Sequence, residues 1–96
     1  MPLVRQINRT SEFKRCFKLL VRRRWNLEPL AAVILKLAND TPAEQLFKDH
    51  PLSGRFVGKR ECHVTSITDN WVLVYHKTDD NRLYLHATGT HADVFG

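Results

Sequence analysis

The hydrophobic period of this chain changes once, and that change limits the folds open to it. From Phe13 to Leu37 apolar residues recur at helical spacing, whereas from Phe56 onward they gather in short runs rich in Val, Leu, Tyr and Trp. Phe13, Cys16, Phe17, Leu20 and Val21 stand at i, i+3, i+4, i+7 and i+8, which makes one apolar stripe of a helix. Ser11 reads as its N-cap, and Glu12 suits the positive helix end. The opposite side carries Lys14, Arg15, Lys18, Arg22, Arg23 and Arg24. Trp25-Asn26-Leu27 breaks the pattern, and Glu28-Pro29 opens a second helix with Leu30, Val33, Ile34 and Leu37 as its stripe. Asn39-Asp40-Thr41-Pro42 ends it, and two helices joined this tightly read as an αα-hairpin.

Around the helices the pattern is extended. Val4 to Asn8 predicts a short first strand, and Ala43 to Gly54 reads as mostly irregular. Three β-like runs follow, Phe56–Thr65, Trp71–Lys77 and Arg82–Thr88. The middle one, Trp-Val-Leu-Val-Tyr, is apolar on both faces, which predicts a central strand. Thr78-Asp79-Asp80-Asn81 is a turn by composition and predicts an antiparallel hairpin. A strand, two helices and a strand meander argue for an α+β fold with helices on one sheet face. Repeats and linkers are absent, so residues 1–96 read as one domain.

Composition narrows the function classes. Fifteen Lys and Arg against ten Asp and Glu give a net charge of +5, which suits a polyanionic partner such as nucleic acid or an acidic protein. No apolar run approaches the roughly 20 residues of a membrane span. The start, Met-Pro-Leu-Val-Arg-Gln, lacks the apolar stretch of a signal peptide, so a cytoplasmic location is expected. Cys16 and Cys62 stand in apolar patterns without C-x-x-C spacing and read as buried reduced thiols.

Five histidines, His50, His63, His76, His86 and His91, carry the possible chemistry. Strand alternation puts Phe56, Cys62 and Val64 on one face and Lys59, Glu61 and His63 on the other, so His63 is expected to point away from the core beside charged residues. Arg60 falls on the Phe56 side by strict alternation, which requires a bulge or an outward-reaching stem. His50 lies in Asp49-His50-Pro51, a turn that restricts its orientation. His91 follows Gly89, where the last strand ends, and Phe95 comes one residue before the last.

The stretches "FKDHPLSGRFVGKRECHVTS", "NWVLVYHKTD" and "TGTHADVFG" together resemble the YafQ-type branch of the RelE superfamily of bacterial toxins. The resemblance covers the second half in register, through D-H-x-L-x-G, R-x-x-H-V, W-x-L-x-Y and G-[ST]-H-x-x-x-F, and the basic helices more loosely. It implies the RelE-like fold and an mRNA interferase that cuts messenger RNA in the ribosomal A site without a metal or other cofactor. In that chemistry the ribose 2′-OH attacks the phosphate, leaving a cyclic phosphate and a free 5′-OH. The step needs a base, an acid and positive charge near the phosphate, and histidine can serve as either proton partner near neutral pH.

Carried over residue by residue, the resemblance implies His50, His63 and His91 as catalytic histidines, with Trp71 and Phe95 as aromatic positions where an RNA base stacks. Family members have an Asp directly before the Trp in a shorter loop, whereas "TSITDNW" has Asn70 there and Asp69 one residue earlier. Asp69 is the preferred carboxylate, with Asn70 as the alternative. Arg60 is assigned to the scissile phosphate or its transition-state charge, against a plain ion pair with Glu61 or Asp69. His76 and His86 have no counterpart in the motif and read as ordinary strand histidines. The resemblance also gives the basic face of the first helix a role at the 70S ribosome, with Lys14, Arg15, Lys18, Arg22 and Arg23 on 16S rRNA phosphates.

A cognate antitoxin is implied as a partner, with operator DNA reached only through it and no membrane involved. Three other readings stay open. These are a non-catalytic gyrase inhibitor on the same scaffold, a metal site built from His50, Cys62, His63 and His91, and a degenerate toxin surviving as an antitoxin-bound repressor subunit.

Overall fold

Val72–Lys77 takes the middle place in a five-stranded sheet, as its two apolar faces require. The computed structural model describes residues 4–42, 46–65 and 70–96. The element order is β1 (Gln6–Arg9), α1 (Ser11–Arg22), α2 (Glu28–Ala38), β2 (Phe47–Pro51), a 3₁₀ turn at Gly54–Phe56, β3 (Arg60–His63), β4 (Val72–Lys77), β5 (Arg82–Gly89) and α3 (His91–Phe95). Strands lie in the order β1-β5-β4-β3-β2. β1 runs parallel to β5 and the other neighbours are antiparallel. This is the α+β architecture that the change of period predicts.

The α1 cap differs by one residue from the expectation, whereas α2 opens at Glu28-Pro29 as expected. Thr10, not Ser11, caps α1; its backbone is extended and its hydroxyl accepts the Phe13 N–H at 3.1 Å. The same hydroxyl donates to the Leu85 carbonyl (3.1 Å), which ties the cap to β5. In α2 Pro29 occupies the first turn, and Asn26 Oδ1 accepts the Glu28 N–H at 3.1 Å. Phe13 and Leu20 of α1 join Leu30, Val33 and Leu37 of α2 over Cys62, Leu73, Tyr75, Leu83 and Leu85. Burial pushes the Cys62 thiol up to about 12, so it stays protonated in this core.

Alternation along β4 sends Val72 and Val74 to the opposite face, where Phe56, Ala87 and Val94 complete a smaller core. α3 therefore folds back over that face instead of fraying into solvent. Phe56 belongs to this second core, and the expected strand Phe56–Thr65 shortens to Arg60–His63. The 3₁₀ turn and Gly58, at φ +84°, reset the alternation before β3 begins.

The segment read as irregular contains β2. It is the edge strand, where Pro51 needs no ladder N–H, and Lys48 at φ +49° forms a bulge between Phe47 and His50. A second bulge, between Val74 and Tyr75 of β4 and their partners Ala87 and Leu85, leaves His86 as the extra residue. Among the described residues no helix is long and apolar enough to cross a membrane.

Candidate active site

Register puts His50 of β2 opposite Glu61 of β3, on the face that also carries His63. His91, the first residue of α3, arrives at the same place because Gly89 and Thr90 turn the chain back there. Three histidines from distant segments thus surround one carboxylate. His63 Nε2 lies 3.3 Å and His91 Nε2 3.4 Å from Glu61 Oε1, and His50 Nε2 lies 3.7 Å from Oε2. His63 lies on the face opposite Cys62 beside Glu61, as alternation predicts, but with Glu61 3% exposed and His63 7% this face is covered rather than open to water. α3 and Phe56 cover this face, whereas His50 and His91 keep about half of their side-chain surface open, at 50% and 47%.

Each histidine is held by its neighbours. His50 Nδ1 donates to the Pro51 carbonyl (3.0 Å), leaving Nε2 turned toward Glu61. The His63 and His91 rings meet edge to face with centroids 5.6 Å apart. The His91 N–H donates to Asn70 Oδ1 (3.3 Å). Thr90 and Asp93 form a capping box at the start of α3, with Asp93 N–H on Thr90 Oγ1 and Thr90 N–H on Asp93 Oδ2, both 3.0 Å.

Phe95, four residues after His91, shares its side of α3, with ring centroids 5.9 Å apart. It stands edge-on to Phe56 at 5.8 Å and is 44% exposed. Trp71 is placed differently. It is 7% exposed, its indole N–H donates to Thr88 Oγ1 (3.1 Å), and Trp25 packs against it at 5.0 Å. Its remaining edge lines a groove of about 430 Å³ with Trp25, Asn26, Pro29, Asn70 and Thr90.

Arg60 is not brought into the cluster. It points to the Cys62 face and grips Asp49 Oδ1 through Nε and a terminal nitrogen, at 2.6 and 2.5 Å. Tyr75 O–H donates to the other oxygen of Asp49, whose side chain is 1% exposed. The ion pair weighed for Arg60 therefore exists with a different partner. Because Asp49 and His50 alternate, this knot under β2 fixes the strand that presents His50.

Lys14, Arg15, Lys18 and Arg22 form an exposed basic face on α1. Arg23 departs from that set by making a two-point ion pair with Asp93, at 2.7 and 3.1 Å. Asp69 lies outside the described residues. His76 and His86 share a hydrogen bond (2.6 Å), and His76 stacks on Tyr84. Burial, the neighbouring His76 and Lys59 lower His86 to about 4, which keeps it neutral at pH 7.

Sequence reasoning missed Glu61 as the hub of the site. Its signal was present, since Glu61 and His63 are two apart on a strand and share a face. Cys62 takes the other face, so the four-residue metal set considered from sequence does not assemble. In its stead Glu61, His63 and His91 offer one O and two N atoms, all within 4.8 Å of one another.

A model of the family described as bacterial toxin of type II toxin-antitoxin system, YafQ, matches residues 5–96. This chain belongs to that family. Within it, the mRNA interferase toxin YafQ of Escherichia coli strain K12 is 36% identical over 93 residues, covering 96% of this chain and 97% of the relative. The YafQ fold is matched in the crystal structure of the E. coli DinJ-YafQ toxin-antitoxin complex, with TM-score 0.82, 34% identity, and 98% and 100% of the two chains covered. A metal-bound toxin from Helicobacter pylori gives TM-score 0.81 at 33% identity, again over 98% and 100% of the two chains.

Proposed function

We propose that this chain is an mRNA interferase, a ribosome-dependent endoribonuclease that cuts messenger RNA in the A site by 2′-OH attack and so arrests translation. The observation that carries the reading is the convergence of His50, His63 and His91 on buried Glu61. Three imidazoles, the side chain most used as acid or base in catalysis, meet at one partly open face. A base for the 2′-OH and an acid for the departing 5′-oxygen can both come from such a set.

Glu61 sets a carboxylate 3.3 Å from His63 and 3.4 Å from His91, placed to stabilise imidazolium charge as it forms during the reaction. Asn70 fixes the backbone of His91, and Asp69 is the acid–base carboxylate that the family carries beside the tryptophan. The exposed face of Phe95 stacks a base at the cut, and Trp71 meets a neighbouring base through the groove it lines. Arg60 serves the site by holding Asp49 beneath His50, and Arg55 places a cation beside the aromatic pair, 4.4 Å over the Phe56 ring. Lys14, Arg15, Lys18 and Arg22 contact 16S rRNA phosphates. An antitoxin of the kind seen with the E. coli relative shields this basic, aromatic surface, and the operator is bound through it.

Induction in a bacterial host with primer-extension mapping tests the reading. Wild-type protein arrests growth and cuts translated codons, and His91→Ala does neither. Arrest without cuts would support the gyrase-inhibitor reading. No arrest from either protein would support the repressor reading.

A second use of the same side chains is supported by the O, N, N donor set of Glu61, His63 and His91 and by the metal-bound relative from H. pylori. Imidazole with carboxylate suits copper or zinc. Such an ion would occupy the nitrogens that move protons, so it would inhibit cleavage. Stoichiometric zinc in purified protein, with cleavage raised by a chelator, is the expected result.

A further inference from the structure

α3 has five residues, too few to hold a helix by its own hydrogen bonds, yet it carries His91, one of the two half-exposed histidines of the site. Val94 docks it in the smaller core on one side. On the other, Asp93 gathers three contacts at one carboxylate. Arg23 reaches Oδ2 and Oδ1 at 2.7 and 3.1 Å, and the Thr90 N–H reaches Oδ2 at 3.0 Å. Arg23 is itself the C-cap of α1, its backbone N–H bonded to the Leu19 carbonyl (3.0 Å), so the guanidinium hangs from a rigid, core-packed helix. The fit is close. A Cβ on Gly89 would stand 2.9 Å from Asp93 Oδ2, at a φ of +142°.

Resting on the nuclease reading above, we propose that Arg23 and Asp93 are positioning residues for catalysis, a two-point clamp that sets the rotation of α3 and so aims His91 at Glu61. Arg23 thereby leaves the set of RNA-binding cations on α1. A clamp this exposed, with side-chain exposures of 38% and 17%, adds little to overall stability. Its effect falls on geometry, where a displacement of about 1 Å can cost about a hundredfold in rate. The sequence signal is the pairing of Gly89 with Asp93, the small residue making room for the carboxylate four positions later.

The test measures Arg23→Ala, Arg23→Lys and Asp93→Asn in two ways. One is the NMR ring resonances of His91 in the free protein, and the other is single-turnover cleavage on programmed ribosomes. Arg23→Ala is expected to shift the His91 resonances and lower kcat about ten- to hundredfold, with KM and Tm nearly unchanged. Arg23→Lys restores part of both, and Asp93→Asn matches or exceeds the loss because it also disturbs the cap. Unmoved His91 resonances in Arg23→Ala would overturn the clamp, and a raised KM beside them would return Arg23 to RNA binding. If wild-type protein cuts nothing, the nuclease reading fails while the NMR arm still decides the clamp.

Discussion

His63 and His91 reach the same oxygen of Glu61, at 3.3 and 3.4 Å, although one sits on the central sheet and the other on the last helix. Glu61 is nearly sealed from water while His91 is about half open. One end of the array is therefore fixed by the core and the other is open to solvent.

Glu61→Gln keeps the shape of the hub and removes its charge. Cleavage is expected to fall by about 10²- to 10⁴-fold, the range of a lost acid–base arrangement. Single-turnover rates of Glu61→Gln beside His63→Ala and His91→Ala check this. Unchanged cleavage in Glu61→Gln would remove the carboxylate from the mechanism.

Arg60 distinguishes a structural cation from a phosphate ligand. Arg60→Gln leaves Asp49 buried with one partner fewer, and the expected loss of stability is about 3 kcal/mol. Denaturant unfolding checks it. Full stability with lost cleavage would instead place Arg60 on the RNA.

The pH dependence of stability has a definite sign. His86 titrates near 4 when folded, below the 6.5 of a free histidine. Between those values the unfolded chain binds more protons, so stability falls as pH drops from about 6.5 to about 4. Asp93, held at about 2 by Arg23 and the Thr90 N–H, adds only a small further loss as pH falls from about 4 toward 2, because water screens so open a pair. Thermal melts across this range should show a shallower fall in His86→Gln.

The basic face of α1 is tested by salt. Each alanine at Lys14, Arg15, Lys18 or Arg22 should reduce the slope of log affinity for ribosomes against log salt by about one. Arg23→Ala should leave that slope unchanged, since its charge is committed to Asp93. Ribosome pelleting at a series of salt concentrations measures both.

Much of this fold was legible because period and position agree. The stripes of α1 and α2, the doubly apolar β4 and the turn at Thr78–Asn81 each name their place in the sheet. β2 was hidden because Asp49, His50 and Pro51 look like a turn, and an edge strand tolerates Pro and a bulge that a central strand would not. The three histidines were legible through the family pattern, and Glu61 was not. A carboxylate next to Arg60 in sequence reads as its ion-pair partner, whereas alternation sends the two to opposite faces. Arg23 and Asp93 lie far apart in the chain, and no local spacing joins them.

Cleavage of ribosome-bound mRNA carrying one 2′-deoxynucleotide at the cut, run beside the all-ribose mRNA in the presence of a chelator, isolates the 2′-OH as the nucleophile. Only the ribose substrate is expected to be cut, leaving a 2′,3′-cyclic phosphate and a 5′-OH. Cutting of the deoxy substrate, or loss of all cutting in the chelator, would contradict that expectation.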